Sequence, residues 1–265
     1  MRIAYYCAMG AVAALCLPVA YVGGSAVASS LPSFVQHNVS VSTFDAIHAS
    51  GYFTVVIVNS RSAKQPAVKV AGYSFEPIQV RVHHHTLYLQ SPGHPVPGFN
   101  HREIVTVYTD HLEGLTVAGP TNVRGLDIYS NGLMIQSSGT GNILLRGKIQ
   151  LNRIQQSGDN RINIRWVDSG MLYVNSTGRG SIHLAGVSNV LYARLRGHAS
   201  LNAQYLRTHD VQVQTKNQSA ASVCPTHTLR AFAFDHSNVY YYKYPKNITQ
   251  YSAQSGNVLQ MAWHQ

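Results

Sequence analysis

Three similar stretches, SGTGNILL at residues 138–145, SGDNRINI at 157–164 and TGRGSIHL at 177–184, decide how this chain folds. Each contains an isoleucine, and apolar residues recur on both sides of them at intervals of 19 or 20 positions. A period near 20 is too short for paired-helix repeats or propeller blades, and it matches one coil of a β-solenoid. The ladder consists of Ile104, Val123, Ile143, Ile162, Ile182, Leu201, Ala220, Val239 and Val258.

Each repeat contains two predicted short strands joined by Gly, Ser and Asn turns. One strand contains the ladder residue, and the other alternates apolar and polar residues, as in Leu172-Tyr173-Val174. Alternation turns one set of side chains inward, where equivalent residues of neighbouring coils stack. The sequence therefore predicts an all-β fold, a mostly parallel β-solenoid (β-helix). The alternative is a β-sandwich, whose strands also recur between turns, although a nearly constant period argues against it.

The part before the repeats has strand-like segments without that period. Strands are predicted within residues 34–59, 67–70, 78–82 and 87–89, where β-branched or alternating runs end at Gly or Pro. The proline-rich stretch 91–98 cannot form regular structure, because proline lacks an amide donor. We expect a leader over residues 1–28, an N-terminal β-strand block over 29–98 and solenoid repeats over 99–265.

The first thirty residues resemble a secretory leader. Arg2 precedes an apolar stretch, and the small residues Ala26-Val27-Ala28 form an A-x-A cleavage site. We predict a signal peptide cleaved after Ala28 and an exported protein, in the periplasm, on the outer membrane surface or outside the cell. The alternative is an uncleaved membrane anchor, because the apolar run approaches the roughly 20 residues of a membrane span. Cleavage would leave Cys224 alone, without an internal disulfide.

The charge balance is strongly basic. The chain has 20 Lys and Arg against 10 Asp and Glu, a net charge of +10 with His neutral, and loss of the leader removes only Arg2. Such an excess favours polyanionic partners such as anionic glycans or other cell-surface components. Export argues against nucleic acid, and membrane contact is expected only if the leader is uncleaved. The alternative is that the charge only keeps a carboxylate-poor surface soluble.

Arginines and tyrosines recur in consecutive repeats and are the candidate ligand-binding residues. If they share a face, the arginines would form a basic stripe that binds sulfate or carboxylate groups in pairs of hydrogen bonds. The tyrosines would add surfaces on which sugar rings stack. The alternative is a solvated face whose charges discourage strand-edge aggregation. The candidates are Arg146, Arg161, Arg165, Arg179, Arg194, Arg196, Tyr173 and Tyr192, with Arg207 and Tyr205 as further members.

Neither catalytic chemistry nor a metal or cofactor is predicted. Glycoside hydrolysis needs two carboxyl groups at a defined separation of roughly 5–9.5 Å. The sequence has no adjacent pair, and Asp168 and Asp210 would meet only if coil stacking brought them within roughly 10 Å, two strand spacings apart. Successive residues of a strand point to opposite faces, so at most His83 and His85 of the histidine run share a face. The densest histidine group is His83-His84-His85, with His94, His101 and His111.

Two groups of residues resemble a known family. The phrase Phe44-Asp45-Ala46-Ile47 precedes a glycine and the β-run 53–58, and the Ser-Gly-x-Gly-Asn-Ile-like turns follow in order. Together they are similar to the putative auto-transporter adhesin head family, or GIN domain, over about residues 38–260. The resemblance implies a right-handed parallel β-solenoid exported to the bacterial envelope, without catalytic residues to transfer. Residues 217–219 and 236–238 lack the family's glycines, so we expect irregular coils there.

These observations favour a non-enzymatic, exported envelope protein that serves as an adhesin-like or structural module. The first alternative is a binder of acidic polysaccharide that uses the basic stripe. The second alternative is a polysaccharide-active β-helix enzyme, which the scarcity of paired carboxylates argues against.

Overall fold

The computed structural model describes residues 34–60, 67–73, 78–91 and 102–262, which form one 17-stranded sheet. No helix occurs within these ranges, and none therefore offers an apolar span that could cross a bilayer. The strands are β1 (Phe34–Ser40), β2 (Ala46–Ser50), β3 (Phe53–Asn59), β4 (Ala67–Tyr73), β5 (Gln79–His83), β6 (Thr86–Gln90), β7 (Glu103–Thr109), β8 (Gly114–Gly119), β9 (Asn122–Gly139), β10 (Asn142–Gly158), β11 (Arg161–Gly178), β12 (Ser181–Gly197), β13 (Ser200–Asn217), β14 (Ala220–Ala233), β15 (Asn238–Tyr242), β16 (Asn247–Ser252) and β17 (Asn257–Met261).

The central strands β9 to β13 stack in parallel and confirm the predicted β-solenoid, which has about seven turns. Each strand continues for 17 or 18 residues, so one repeat is a single bent strand where two short ones were expected. Ile143, Ile162 and Ile182 are direct partners across three neighbouring coils, and each is at most 1% exposed. The sequence period is therefore the length of one coil.

Each coil bends at points that the burial pattern marks. In β11, buried residues alternate with more accessible ones except at Arg165-Trp166 and Gly170-Met171 within the strand and Thr177-Gly178 at its end, where two exposed residues follow each other. These bends divide the coil into a first face at 161–165, a second at 167–170 and a third at 171–178. The paired residues of the neighbouring coils belong to the same faces.

Two members of the predicted ladder are wrong by one position. Ile104 is 46% exposed, and its neighbour Val105 is buried and pairs through Val55 with Val123. Strand β3 lies between β7 and β9 in the sheet. Residues 104 and 123 are therefore not on adjacent strands, and their spacing is not the length of a coil. Ala220 pairs with Ser200 outside the core, while the next residue occupies the ladder position opposite Leu201. That coil is one residue longer, and the following one is shorter.

Strands from the N-terminal part are inserted between later strands. β2 lies between β6 and β8, and β3 lies between β7 and β9, all in parallel. Beyond them the sheet becomes antiparallel, because β5 pairs with β6, β4 with β7, and β1 with β4. These antiparallel strands cover the parallel backbone edges that a solenoid end would otherwise expose.

The corner after the third face keeps one backbone conformation through most coils. Gly139, Gly158, Gly178 and Gly197 have positive φ angles between 80° and 119°. The next two coils have Asn217 and Asp235 there, also with positive φ, and an Asp235 Oδ2 atom accepts a hydrogen bond from the Asn217 amide at 3.1 Å. The corner thus persists without glycine. The coil after β14 is divided into two short strands, β15 and β16, and β17 pairs with β15 as the start of the next coil.

Buried side chains fill the interior to the last coil. Cys224 is 3% exposed, and this burial raises the pKa of its thiol above the ordinary value. Tyr241 is also buried, whereas Tyr244 is 84% exposed. The predicted leader lies outside the described residues.

Candidate ligand-binding groove

The structure distributes the eight candidate residues over two faces and one corner. Tyr173, Tyr192, Arg194 and Arg196 lie on the third face. Three others lie on the first face, where Arg146 and Arg165 are direct partners in adjacent strands and Arg161 begins the same segment of β11. Arg179 lies at the corner, 3.4 Å from an exposed Asp159 carboxylate. One continuous stripe therefore does not form, but half of the set is brought together.

Parallel pairing arranges the outward side chains of the third face in columns. One column passes from β9 to β14, and a second runs beside it two residues further along each strand. Side chains in a column are roughly 4.8 Å apart, and adjacent columns are roughly 6.6 Å apart. The first column contains Met134, Arg153, Tyr173, Tyr192, Gln212 and Arg230, and the second contains Gln136, Gln155, Asn175, Arg194, Gln214 and Phe232.

These columns border a groove of about 810 Å³ on the third face. Its floor includes the Tyr173 and Tyr192 rings, which are stacked with centroids 5.2 Å apart and planes 12° apart. The Arg153 guanidinium lies over the Tyr173 ring, 5.6 Å from its centroid, within the range of a cation–π interaction. Phe232 and Phe234 line the groove further along. The groove thus combines aromatic faces with cations.

The groove has an uncompensated positive charge. Arg153, Arg194 and Arg196 are exposed and line it, and Arg230 continues the first column. No aspartate or glutamate occurs among the groove-lining residues or in the described positions of the two columns. Several arginines without carboxylate partners produce a positive potential that attracts anions.

Arg153, Gln212, Phe232 and Phe234 were not among the predicted residues. Arg153 lies 20 positions before Tyr173, so the repeat period itself contained the signal for that residue. Phe232 belongs to β14, where the register with β13 shifts twice, and Phe234 directly follows the last residue of that strand. A fixed period therefore could not place them.

The first face has a different electrostatic character. Arg146 Nε is buried without a hydrogen-bond partner. Burial, followed by the charge of Arg161, lowers the pKa of His183 below its ordinary value of 6.5. Tyr205 is aligned with Arg165 on this face, whereas Arg207 pairs with Val187 on the second face. Arg146 and Arg165 are adjacent here, and Tyr205 lies two coils beyond Arg165 in the same column.

The two carboxylates considered for hydrolysis are not aligned. Asp168 pairs with Val187, which in turn pairs with Arg207, so Asp210 lies three residues away along the strand. The histidine run is a hairpin turn, because β5 ends at His83 while His84 and His85 have positive φ angles of 46° and 57°. All three histidines are exposed, and His94 and His101 lie outside the described residues.

Several solved structures share this fold. A structure described as a putative lipid binding protein of Parabacteroides distasonis has a TM-score of 0.73 at 17% identity, covering 86% of this chain and 96% of its own. A putative adhesin of Parabacteroides merdae has a TM-score of 0.72 at 16% sequence identity, and the match again covers 86% of this chain and 96% of its own. A putative adhesin of Bacteroides fragilis has a TM-score of 0.64 at 20% sequence identity, and the match covers 87% of this chain and 99% of its own. At such low identities, the likeness concerns the fold.

Comparison with curated proteins finds no similar sequence. Comparison with protein families finds a match over residues 43–245, from the segment before β2 to the residues after β15. The match includes the glycine corners, the central coils and the groove. Because it extends over well more than half of the sequence, this chain belongs to the family described as putative auto-transporter adhesin, head GIN domain.

Proposed function

We propose that this protein is a non-enzymatic, exported adhesin-like module of the bacterial envelope and that its third-face groove binds an anionic glycan. The observation that carries the proposal is the stacked Tyr173–Tyr192 pair beside Arg153, Arg194 and Arg196, without a carboxylate in the groove. Membership of an adhesin-described family supports the adhesin-like role. The sequence of the leader, with its Ala26-Val27-Ala28 site, supports export.

The two kinds of side chain recognise different parts of such a ligand. Tyrosine rings present an apolar surface to the C–H face of a sugar ring and keep a hydroxyl for hydrogen bonding. Arginine binds sulfate or carboxylate oxygens through two parallel N–H donors. The two columns place tyrosine and arginine side chains on successive coils, so an extended polymer could contact several coils at once. A neutral glycan would use only the aromatic part.

The test compares two triple variants that remove equal charge from different faces. In the groove variant, Arg153, Arg194 and Arg196 are replaced by Gln, and in the matched control Arg146, Arg161 and Arg165 are replaced by Gln. Binding to heparin, as a sulfated probe, is measured by calorimetry at several salt concentrations. We expect the groove variant to lose about tenfold or more in affinity, since each charge-assisted hydrogen bond contributes about 1.5–3 kcal/mol before solvent screening.

A second pair of variants separates a glycan site from a merely basic surface. Tyr173→Ala with Tyr192→Ala should also weaken heparin binding while leaving the salt dependence nearly unchanged, because no charge is removed. Equal losses in the groove and control arginine variants would refute the groove as the site. Tighter binding of anionic phospholipid vesicles than of any sulfated or carboxylated glycan would instead indicate a lipid surface as the ligand and contradict the glycan proposal.

A further inference from the structure

A β-bulge brings three potential metal ligands together where β13 meets β14. Thr208 pairs with Pro225, but Asp210 pairs with Thr228, so Thr226 and His227 both lie opposite His209. An extra residue of this kind bends a strand and redirects its side chains. The bulge in β14 therefore changes the direction of His227, which lies beside the two consecutive residues His209 and Asp210.

The distances within this group match metal coordination. His209 Nδ1 lies 3.0 Å from Asp210 Oδ2, and His227 Nδ1 lies 3.4 Å from Asp210 Oδ1. A tetrahedral zinc ion with bonds of about 2.0–2.1 Å holds its ligand atoms roughly 3.3 Å apart. One ligand atom from each of the three residues lies within 4.8 Å of the others, and no second group of three such residues occurs in the described part of the chain.

The surroundings of the carboxylate favour a cation. Asp210 Oδ1 is buried and accepts no well-aligned hydrogen bond. The His209 and His227 rings are stacked, with centroids 4.5 Å apart and planes 15° apart. Neutral imidazoles offer lone pairs that a metal ion can share with the carboxylate.

We propose that His209, Asp210 and His227 bind a divalent transition-metal ion, Zn²⁺ being the best match. Two imidazoles and one carboxylate are ligands of zinc and of its first-row neighbours, whereas Ca²⁺ and Mg²⁺ prefer sites made of oxygen atoms. Three protein ligands leave at least one coordination position open. The cluster lines a pocket of about 270 Å³ that shares Tyr192 and Gln212 with the groove. The proposal is independent of glycan binding.

The test measures Zn²⁺ binding directly, in a chain from which the other histidine run has been removed. His83, His84 and His85 are replaced by Asn, a residue that tolerates the positive φ of that turn. Isothermal titration of this chain with Zn²⁺ should give one site, and excess Zn²⁺ should raise the melting temperature. Adding His209→Gln or Asp210→Asn should weaken binding about tenfold or more. The matched control is His198→Gln, an exposed histidine at a corner.

Two results would overturn the proposal. One is the absence of Zn²⁺ binding in the chain that lacks the histidine run. The other is one-to-one binding that persists when both His209 and His227 are replaced by Gln. His209 is exposed, so its replacement leaves the core intact, and unchanged far-ultraviolet circular dichroism of the His209→Gln variant verifies the fold. Competition by Ca²⁺ at similar concentrations would also contradict a nitrogen-containing site.

Discussion

At the residue scale, partial burial changes the chemistry of several side chains on this solenoid. His183 is half-buried on the first face, and desolvation together with the charge of Arg161 lowers its pKa. Asp210 shows the opposite balance, because hydrogen bonds from its histidine and threonine neighbours stabilise the anion and lower its pKa. Arg161 and Thr228 belong to coils next to those of His183 and Asp210, about 20 residues away in the chain, whereas His209 directly precedes Asp210.

His183 should make the protein less stable in mild acid. The pKa of His183 in the folded protein is below 6.5, its ordinary value, which applies to the unfolded chain. At a pH between the folded and the unfolded pKa, the unfolded chain therefore binds more protons than the folded chain. Its contribution to stability is therefore complete above pH 6.5 and is lost as the pH falls toward the folded pKa. We expect His183→Asn to lose less unfolding free energy than the parent between about pH 7.5 and about pH 5, as measured by urea denaturation.

The control for this measurement is His198→Asn, which replaces an exposed histidine at a corner. That variant should follow the parent's pH dependence. If the His183 and His198 variants behave alike, or if an NMR titration places the His183 pKa at or above 6.5, the argument from burial fails.

At the element scale, the stacked isoleucines and the tight corners hold each coil against the next. Ile143, Ile162 and Ile182 form a continuous buried column, and the corner column beside it contains Gly141, Asn160 and Gly180. Asn160 is buried and donates a hydrogen bond to Ser137 Oγ, while Gln156 donates to the Asn160 backbone carbonyl at 2.7 Å. Hydrogen bonds thus hold the Asn160 side chain at a corner position where the neighbouring coils have glycine.

Ile162→Asp should destabilise the protein by about 4 kcal/mol or more, because it places an unpaired charge in the stacked core. The residue is fully buried between its partners in β10 and β12. Thermal and urea unfolding measure the loss. Asn163→Asp, at the adjacent outward position, is the control and should change stability little. A melting temperature for Ile162→Asp close to that of the parent would contradict the stacked arrangement.

Gly141→Ala should destabilise the protein by about 3 kcal/mol, because a coil must move to admit the methyl group. A Cβ atom at this position would lie 1.7 Å from the carbonyl oxygen of Thr121 in the coil before. The control is Gly170→Ala, where a Cβ atom would meet nothing within 4 Å. Urea denaturation should show the loss only in the first variant. Equal stabilities of the two variants would show that the coils are less tightly stacked than described.

At the scale of the whole molecule, a long parallel stack presents repeated surfaces and needs protected ends. The antiparallel strands β1, β4 and β5 cover the edges of β7 and β6. The third face carries the groove over several coils, and its border contains the three-residue cluster of β13 and β14.

If the protein is exported as proposed, its mature form should begin at Ser29. Cleavage after Ala28 removes the apolar segment and leaves a net charge of +9, since Arg2 is the one charged residue removed. N-terminal sequencing of the protein from envelope and culture fractions checks this. A chain that still begins at Met1 in the cytoplasmic fraction would contradict export, and one beginning at Met1 in the membrane fraction would indicate an uncleaved anchor.

The sequence by itself determined the solenoid, because a stacked coil must repeat its inward residues once per turn. The spacing of Ile143, Ile162 and Ile182 therefore reported coil length directly. The same spacing also relates Arg153 to Tyr173, since adjacent coils differ little in length.

Only the tertiary structure decided the features that do not follow the repeat period: the inserted strands, the bends within each coil and the bulge in β14. The insertion of β2 and β3 between later strands joins residues far apart in sequence, which shifted the ladder from Ile104 to Val105. The bends decide which face an arginine occupies, and they separated Arg161 from Arg194 although both recur in consecutive coils. The bulge in β14 brought His227 to Asp210. Each depends on strand pairing across coils, where a shift of one residue turns a side chain to the opposite side of the sheet.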